Sequence, residues 1–264
     1  MTNEEAAVFM NKNGFVCTEL CFACKDPKYW VYNGRSDLSG LSLDQARKIV
    51  DTYRDNEIEV VSIGVFTNLI EPDEDERIKN LEYFDRHIQI ASDNGIGYAA
   101  TECGFIPGRR GVSAETYEQD FDRLKKSLSY LIEKAEKYDV KIALEPCVLD
   151  VVPSAKRTAD LISQLGSERI RVLLDPANLI ANSSEEDMFG YLSDLTAYFH
   201  GKDRRVNDTW GRALGDGDID WNLFLRLCQT RTPDTPFILE YVKSENAVEI
   251  KSRIDKYMKD EFDS

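Results

Sequence analysis

Residues 140–176 read VKIALEPCVLDVVPSAKRTADLISQLGSERIRVLLDP, and the unit they spell is the one that the rest of the chain repeats. Two apolar runs, VKIALE and IRVLLD, each end in a carboxylate followed by proline. Short runs of this kind suit a strand buried on both faces. Between them Ala159, Ile162 and Leu165 recur at helical spacing, and Gly166 stands where the recurrence stops, the usual place of a helix C-cap. Strand, helix and strand in this order make one unit of a parallel sheet.

Working outward, similar runs occur at Phe15–Glu19, Ile58–Phe66, Tyr98–Cys103, Leu195–His200 and Phe237–Glu240. Helical periods lie between them: Ala46, Ile49, Val50 and Tyr53; Ile78, Leu81, Phe84 and Ile88; Tyr117, Phe121, Leu124, Leu128, Leu131 and Ala135. Ser42 with Gln45 makes a capping-box pattern ahead of the first of these. Alternation throughout gives either an open parallel sheet or a closed barrel, and periodicity does not separate them. The polar residues at the strand ends favour the barrel, so the expected class is α/β, a (β/α)8 TIM-type barrel, in one domain spanning residues 1–264.

Seven strands are readable, preceded only by a helix around Glu4–Lys12, so an eight-stranded barrel is one strand short. The first strand lies upstream of Met1, or the barrel is open there, or a short strand goes unread. The strand ending at Glu19 is therefore expected beside the one ending at Phe66, with a gap on its other side. An exposed parallel edge invites pairing, so an upstream segment or a homodimer is expected to cover it.

The formal charge of −15 over 264 residues disfavours a nucleic-acid partner, since a phosphate backbone would be repelled. No apolar run approaches the roughly 20 residues of a membrane span, and the start MTNEEAAVF lacks a secretory pattern. The chain reads as cytoplasmic, without a membrane partner. Six cysteines fall mostly in or beside apolar runs, where free thiols act as small hydrophobes. Cys21 and Cys24 form a lone C-x-x-C, which without a second ligand pair is a weak zinc or redox signal.

Four runs end in a potential metal ligand: Glu145 in IALEP, Asp175 in VLLDP, His200 in AYFH and Glu240 in FILEY. In a closed barrel all four project from the C-terminal strand ends, the face where barrel enzymes keep their sites. One charged residue ending a strand is commonplace, but four in consecutive strands are not. Three carboxylates at one mouth repel unless a cation neutralises them, which points to one divalent ion. Three oxygens and an imidazole suit Mn²⁺ first, with Mg²⁺, Co²⁺ or Zn²⁺ as alternatives.

The LEP, LLDPANL, HGKDR, GDGDIDW and ILEY segments, in this order, resemble the xylose isomerase-like barrel superfamily of sugar isomerases and epimerases, from Gly14 to the C-terminal helix. The resemblance implies that Glu145, Asp175, His200 and Glu240 hold the metal and that Glu145 and Glu240 double as catalytic acid and base. Many relatives carry a histidine where Asn178 stands; asparagine can bond a substrate hydroxyl but does not titrate. A frequent arginine six residues past the histidine is Val206 here, with Arg204 or Arg205 as substitutes. Asn178, Lys202, Arg204 and Glu102 are the expected substrate contacts. Glu19 reads as rim solvation as readily as a mouth residue. Trp221 begins a helix and reads as packing, and the aromatics of the loop Leu20 to Leu41 as a cap on the barrel end. His87, between Phe84 and Ile88, reads as a surface or groove residue.

The leading function is a metal-dependent isomerase or epimerase acting on a sugar, ketose or related polyol by proton transfer through an enediolate. The alternative is a dehydratase of an inosose or dehydroshikimate-type acid, since an enolate can instead expel a β-hydroxyl. An abasic-site endonuclease would need a histidine-rich zinc cluster, which two histidines cannot build. A non-catalytic sugar sensor is the remaining reading, against which the intact ligand set speaks.

Overall fold

The computed structural model describes residues 1–22, 33–38 and 40–259. The helix α1 (Asn3–Lys12) leads into β1 (Cys17–Leu20), and from there strands and helices alternate: α2 (Leu43–Arg54), β2 (Glu59–Gly64), α3 (Glu74–Asp93), β3 (Tyr98–Glu102), α4 (Tyr117–Tyr138), β4 (Lys141–Glu145), α5 (Ala155–Leu165) and β5 (Ile170–Leu174). Two helices follow β5, the single turn α6 (Pro176–Leu179) and α7 (Glu185–Leu192). Then come β6 (Thr196–Gly201), α8 (Trp221–Arg231), β7 (Phe237–Leu239) and α9 (Ala247–Lys259).

All six ladders are parallel, in the order β1 to β7, and the sheet curls into a nearly closed barrel. At the seam the Cys17 Sγ lies 3.9 Å from the Phe237 carbonyl oxygen, but no β7–β1 ladder forms among the described residues. The expected neighbour of β1 is there, and on its other side β7 stands beside it without a ladder in place of an open gap.

Local sequence signals and structure agree where the backbone alone sets them. Ser42 Oγ accepts from the Gln45 amide and Gln45 Oε1 from the Ser42 amide, closing the capping box of α2. Gly166 ends α5 at φ +60°, a left-handed turn open to glycine without strain. β1, β2, β4 and β6 start one or two residues later than their apolar runs, and Leu195 belongs to the short 3-10 turn before β6.

Apolar side chains separate into two groups. The larger group packs the helices onto the sheet, with Phe84, Ile88, Leu124, Leu128, Leu131 and Phe224 fully buried. The smaller one, Val61, Ala100, Ala143, Leu173, Ala197 and Tyr198, with Cys17, Tyr98 and Ile238 against it, fills the barrel. Ala100 and Ala143 leave the volume that the Tyr198 ring occupies, and its hydroxyl reaches across to donate to Glu19.

Side chains alternate along a strand, so a residue two positions beyond an interior one also faces inward. Glu19 follows Cys17 in this way, Glu102 follows Ala100, Glu145 follows Ala143, Asp175 follows Leu173, His200 follows Tyr198 and Glu240 follows Ile238. The inner apolar layer is thus overlaid by a polar one at the C-terminal end. Among the described residues no helix is long and apolar enough to cross a membrane.

Candidate metal centre

Glu145, Asp175, His200 and Glu240 come together: each offers a donor atom, and these all lie within 4.8 Å of one another. The first three are buried, whereas the Glu240 side chain is 36% exposed and forms the open side of the group. Asp175 falls one residue past β5 and caps α6, its Oδ1 accepting from the Ala177 amide at 2.9 Å. Pro176 at the helix start suits that turn, and Oδ2 is left for the cluster. Glu145 Oε1 accepts from Asn178 Nδ2 at 2.7 Å, and the Asn178 Oδ1 accepts from Arg204 Nη2 at 3.0 Å.

The imidazole of His200 stands between carboxylates. Nδ1 lies 3.5 Å from Glu240 Oε2 and 3.8 Å from Glu145 Oε1, and Nε2 lies 3.6 Å from Glu19 Oε1. Glu19 is buried at this position because residue 64 is glycine; a Cβ there would come within 2.9 Å of Glu19 Oε1. Lys202, 5% exposed, brings its Nζ 2.7 Å from Asp175 Oδ2, 2.6 Å from Glu240 Oε2 and 3.5 Å from Glu145 Oε1.

Four carboxylates, Glu19, Glu145, Asp175 and Glu240, thus meet two groups that can carry positive charge. Burial penalises every one of these charges, and the outcome differs by neighbour. Burial pushes His200 down, but Glu19, Glu145 and Glu240 outweigh it and hold its pKa well above the usual imidazole range. Burial lowers Lys202 too, and Asp175, Glu240 and Glu145 raise it further than burial lowers it. For Glu145 and Glu240 burial acts upward, but Lys202 and His200 hold both carboxyls below their ordinary range. Burial lifts Glu19, and it lifts Asp175 to about 7 against the pull of Lys202.

With His200 neutral, as a metal ligand must be, four carboxylates face the single ammonium of Lys202, and a divalent cation offsets much of that negative excess. The donor atoms also fit: Asp175 Oδ2 and His200 Nδ1 are buried without a hydrogen bond of good geometry. Hard oxygens with one imidazole form a donor set that Mn²⁺, Co²⁺ and Zn²⁺ accept. Glu19 behind Nε2 is the carboxylate that commonly orients a ligating histidine.

The other expected residues lie at the same mouth. Glu102 pairs in register with Glu145, half-buried at the end of β3. Arg204 is 5% exposed, with Nε and Nη1 buried and without a hydrogen bond, whereas Arg205 and Val206 face solvent. The loop after β6 is built on Asp203, which accepts from the amides of Arg204 and Gly215 and, at 2.8 Å, from Trp221 Nε1. A Cβ at Gly217 would come 2.1 Å from Asp203 Oδ1, so only glycine lets the GDGDID turn close around it. Trp221 packs in the core, as expected.

Three residues stand where their neighbours in sequence did not place them. Glu19 is a buried partner of His200. Asp150, in the loop after β4, is 1% exposed, with neither carboxylate oxygen hydrogen-bonded and Arg110 Nη2 3.7 Å away. A carboxylate inside the apolar run CVLDVV was the available signal. His87 is 1% exposed, a correction to its reading as surface or groove. Cys17, Cys21, Cys103, Cys147 and Cys228 are free thiols, whereas Cys24 and the loop aromatics Tyr29, Trp30 and Tyr32 lie outside the described residues.

Residues 9–260 match the family model described as xylose isomerase-like TIM barrel. No curated protein matches the sequence. Among solved structures, a D-tagatose 3-epimerase-like protein superposes with a TM-score of 0.74 at 17% identity, covering 92% of this chain and 88% of its own. IolI protein with a binding zinc atom gives 0.74 at 18% identity, over 97% of this chain and 94% of its own. D-psicose 3-epimerase in the presence of D-fructose gives 0.71 at 16% identity, over 95% and 84%. At such identities the likeness establishes the fold.

Proposed function

The chain belongs to the xylose isomerase-like TIM barrel family, and on that premise we propose that it is a divalent-metal-dependent isomerase or epimerase of a sugar, ketose or related polyol. The observation that carries the reading is the convergence of Glu145, Asp175, His200 and Glu240, whose carboxylates, with Glu19, outnumber the one ammonium of Lys202. Sugar epimerases among proteins of the same fold support the substrate class. Those four residues would hold the ion, Mn²⁺ by preference. Bound there, a divalent cation supplies Lewis acidity toward neighbouring carbonyl and hydroxyl oxygens.

The remaining work belongs to the chain. Glu145 and Glu240 end β4 and follow β7, with two strands between them, so they face the mouth from different sides. One carboxylate removes the proton alpha to the substrate carbonyl, giving an enediolate, and the other returns a proton. Glu145 is held by Asn178, whereas Glu240 stands at the open side. Arg204 brings two buried N–H groups without partners, and with Glu102 it is assigned to substrate hydroxyls. Asn178 and Lys202 act on the substrate from behind Glu145 and Glu240.

Turnover in heavy water tests the reading. Manganese-loaded protein is given a panel of ketoses and ketose phosphates, and product is expected to carry deuterium at the α-carbon. Conversion without exchange would mean a hydride shift and would remove Glu145 and Glu240 from the acid and base roles.

A further inference from the structure

The ligand cluster already contains a cation of its own. The Lys202 Nζ touches Asp175 Oδ2 at 2.7 Å and Glu240 Oε2 at 2.6 Å, with Glu145 Oε1 at 3.5 Å, so one ammonium bridges three of the four candidate ligands. A metal ion bonded to the same Asp175 and Glu240 oxygens at about 2.1 Å would stand within about 5 Å of Nζ. Two cations in a buried site at that range repel strongly.

Resting on the metal reading of the site, we propose that Lys202 is a positioning residue for the metal ligands. Its ammonium holds the three carboxylates together before the ion arrives, and the ion must displace it to bind. Lysine suits this better than arginine, because a point charge on a flexible four-carbon stem can withdraw without breaking a planar two-bond fork. The structure provides a place to withdraw to. The Tyr241 ring centroid lies 5.6 Å from Nζ, and Tyr241 is 55% exposed at the edge of the mouth. Its backbone is left-handed at φ +57°, and its ring fills the space beside Gly211, where a Cβ would come 2.4 Å from the ring. An ammonium against that ring keeps a favourable cation–π contact while half in water.

The test is metal affinity, a readout that a merely structural lysine would not move in the predicted direction. Lys202→Met should lower the melting temperature of the metal-free protein, because the carboxylates lose their counter-charge. It should also tighten Mn²⁺ binding, measured by titration calorimetry, by about tenfold or more, because no ammonium has to be expelled. Lys202→Gln, closer in polarity, serves if the methionine variant does not fold. In the wild type, Mn²⁺ should increase acylation of Lys202 by an amine-reactive reagent, read by mass spectrometry. Equal or weaker Mn²⁺ binding in the variants, or acylation of Lys202 that Mn²⁺ does not increase, would overturn the role of Lys202 and leave the metal reading standing. Failure of wild type and variants alike to bind Mn²⁺, Mg²⁺, Co²⁺ or Zn²⁺ would overturn both.

Discussion

The two histidines of this chain are almost equally buried, His87 at 1% and His200 at 3% exposure, yet their protons are held in opposite ways. His87 lies in the helix layer, 4.5 Å from the Tyr83 ring and 6.4 Å from Phe22, and its Nδ1 donates to the Tyr83 carbonyl at 2.8 Å. Its Nε2 has no hydrogen-bond partner. Burial pushes its pKa down to about 4, with Arg86 adding to the effect. His200 lies at the barrel mouth among Glu19, Glu145 and Glu240, whose charges reverse what burial alone would do. Burial alone therefore does not separate the two histidines. What separates them is the set of buried opposite charges collected around His200.

The largest break in that contrast comes from removing charge at the mouth. Glu145→Gln and Glu240→Gln should each lower turnover by roughly 10²–10⁴-fold, the range for loss of a general acid or base. Metal affinity measured in parallel separates loss of the ion from loss of the proton. Full activity in either variant would leave that carboxylate a bystander.

A second break concerns the loop that carries Lys202 and Arg204 into the mouth. Asp203 is fully buried and accepts from three backbone amides, those of Arg204, Gly215 and Ile219, and from the Trp221 indole. Asp203→Ala should cost about 2–4 kcal/mol in urea denaturation, because those donors stay buried without a partner. A cost below about 0.5 kcal/mol, the size of an ordinary surface change, would show that the loop does not depend on it.

The smallest effect sharpens the contrast from the helix layer. With its pKa lowered to about 4, folded His87 resists a proton that the unfolded chain accepts near 6.5. Between these values the unfolded state binds more protons, so stability is full above pH 7 and falls as the pH drops toward 4. From pH 7.5 to 4.5 the loss due to His87 is about 2–3 kcal/mol. His87→Phe should show an acid loss smaller than that of wild type by this amount. Equal losses in the two proteins would place the acid sensitivity elsewhere, with the carboxylate cluster next in line.

Alternation of strands and helices, the capping box at Ser42 and the stop at Gly166 were legible because short-range backbone geometry and side-chain periodicity set them. The four candidate ligands were legible for a related reason. Each ends an apolar run, and a period of two carries the inward face from Ala143 to Glu145, from Leu173 to Asp175, from Tyr198 to His200 and from Ile238 to Glu240. Only the tertiary structure decided that Glu19 backs His200, that Lys202 sits among the carboxylates and that His87 is buried and neutral. It also decided that β1 and β7 meet without a ladder. Each of these joins residues far apart in the chain, Glu19 and His200 by way of Tyr198 across the barrel. Such contacts follow from strand register and from how far the sheet closes. Those are set by packing between elements, to which no local pattern of residues is sensitive.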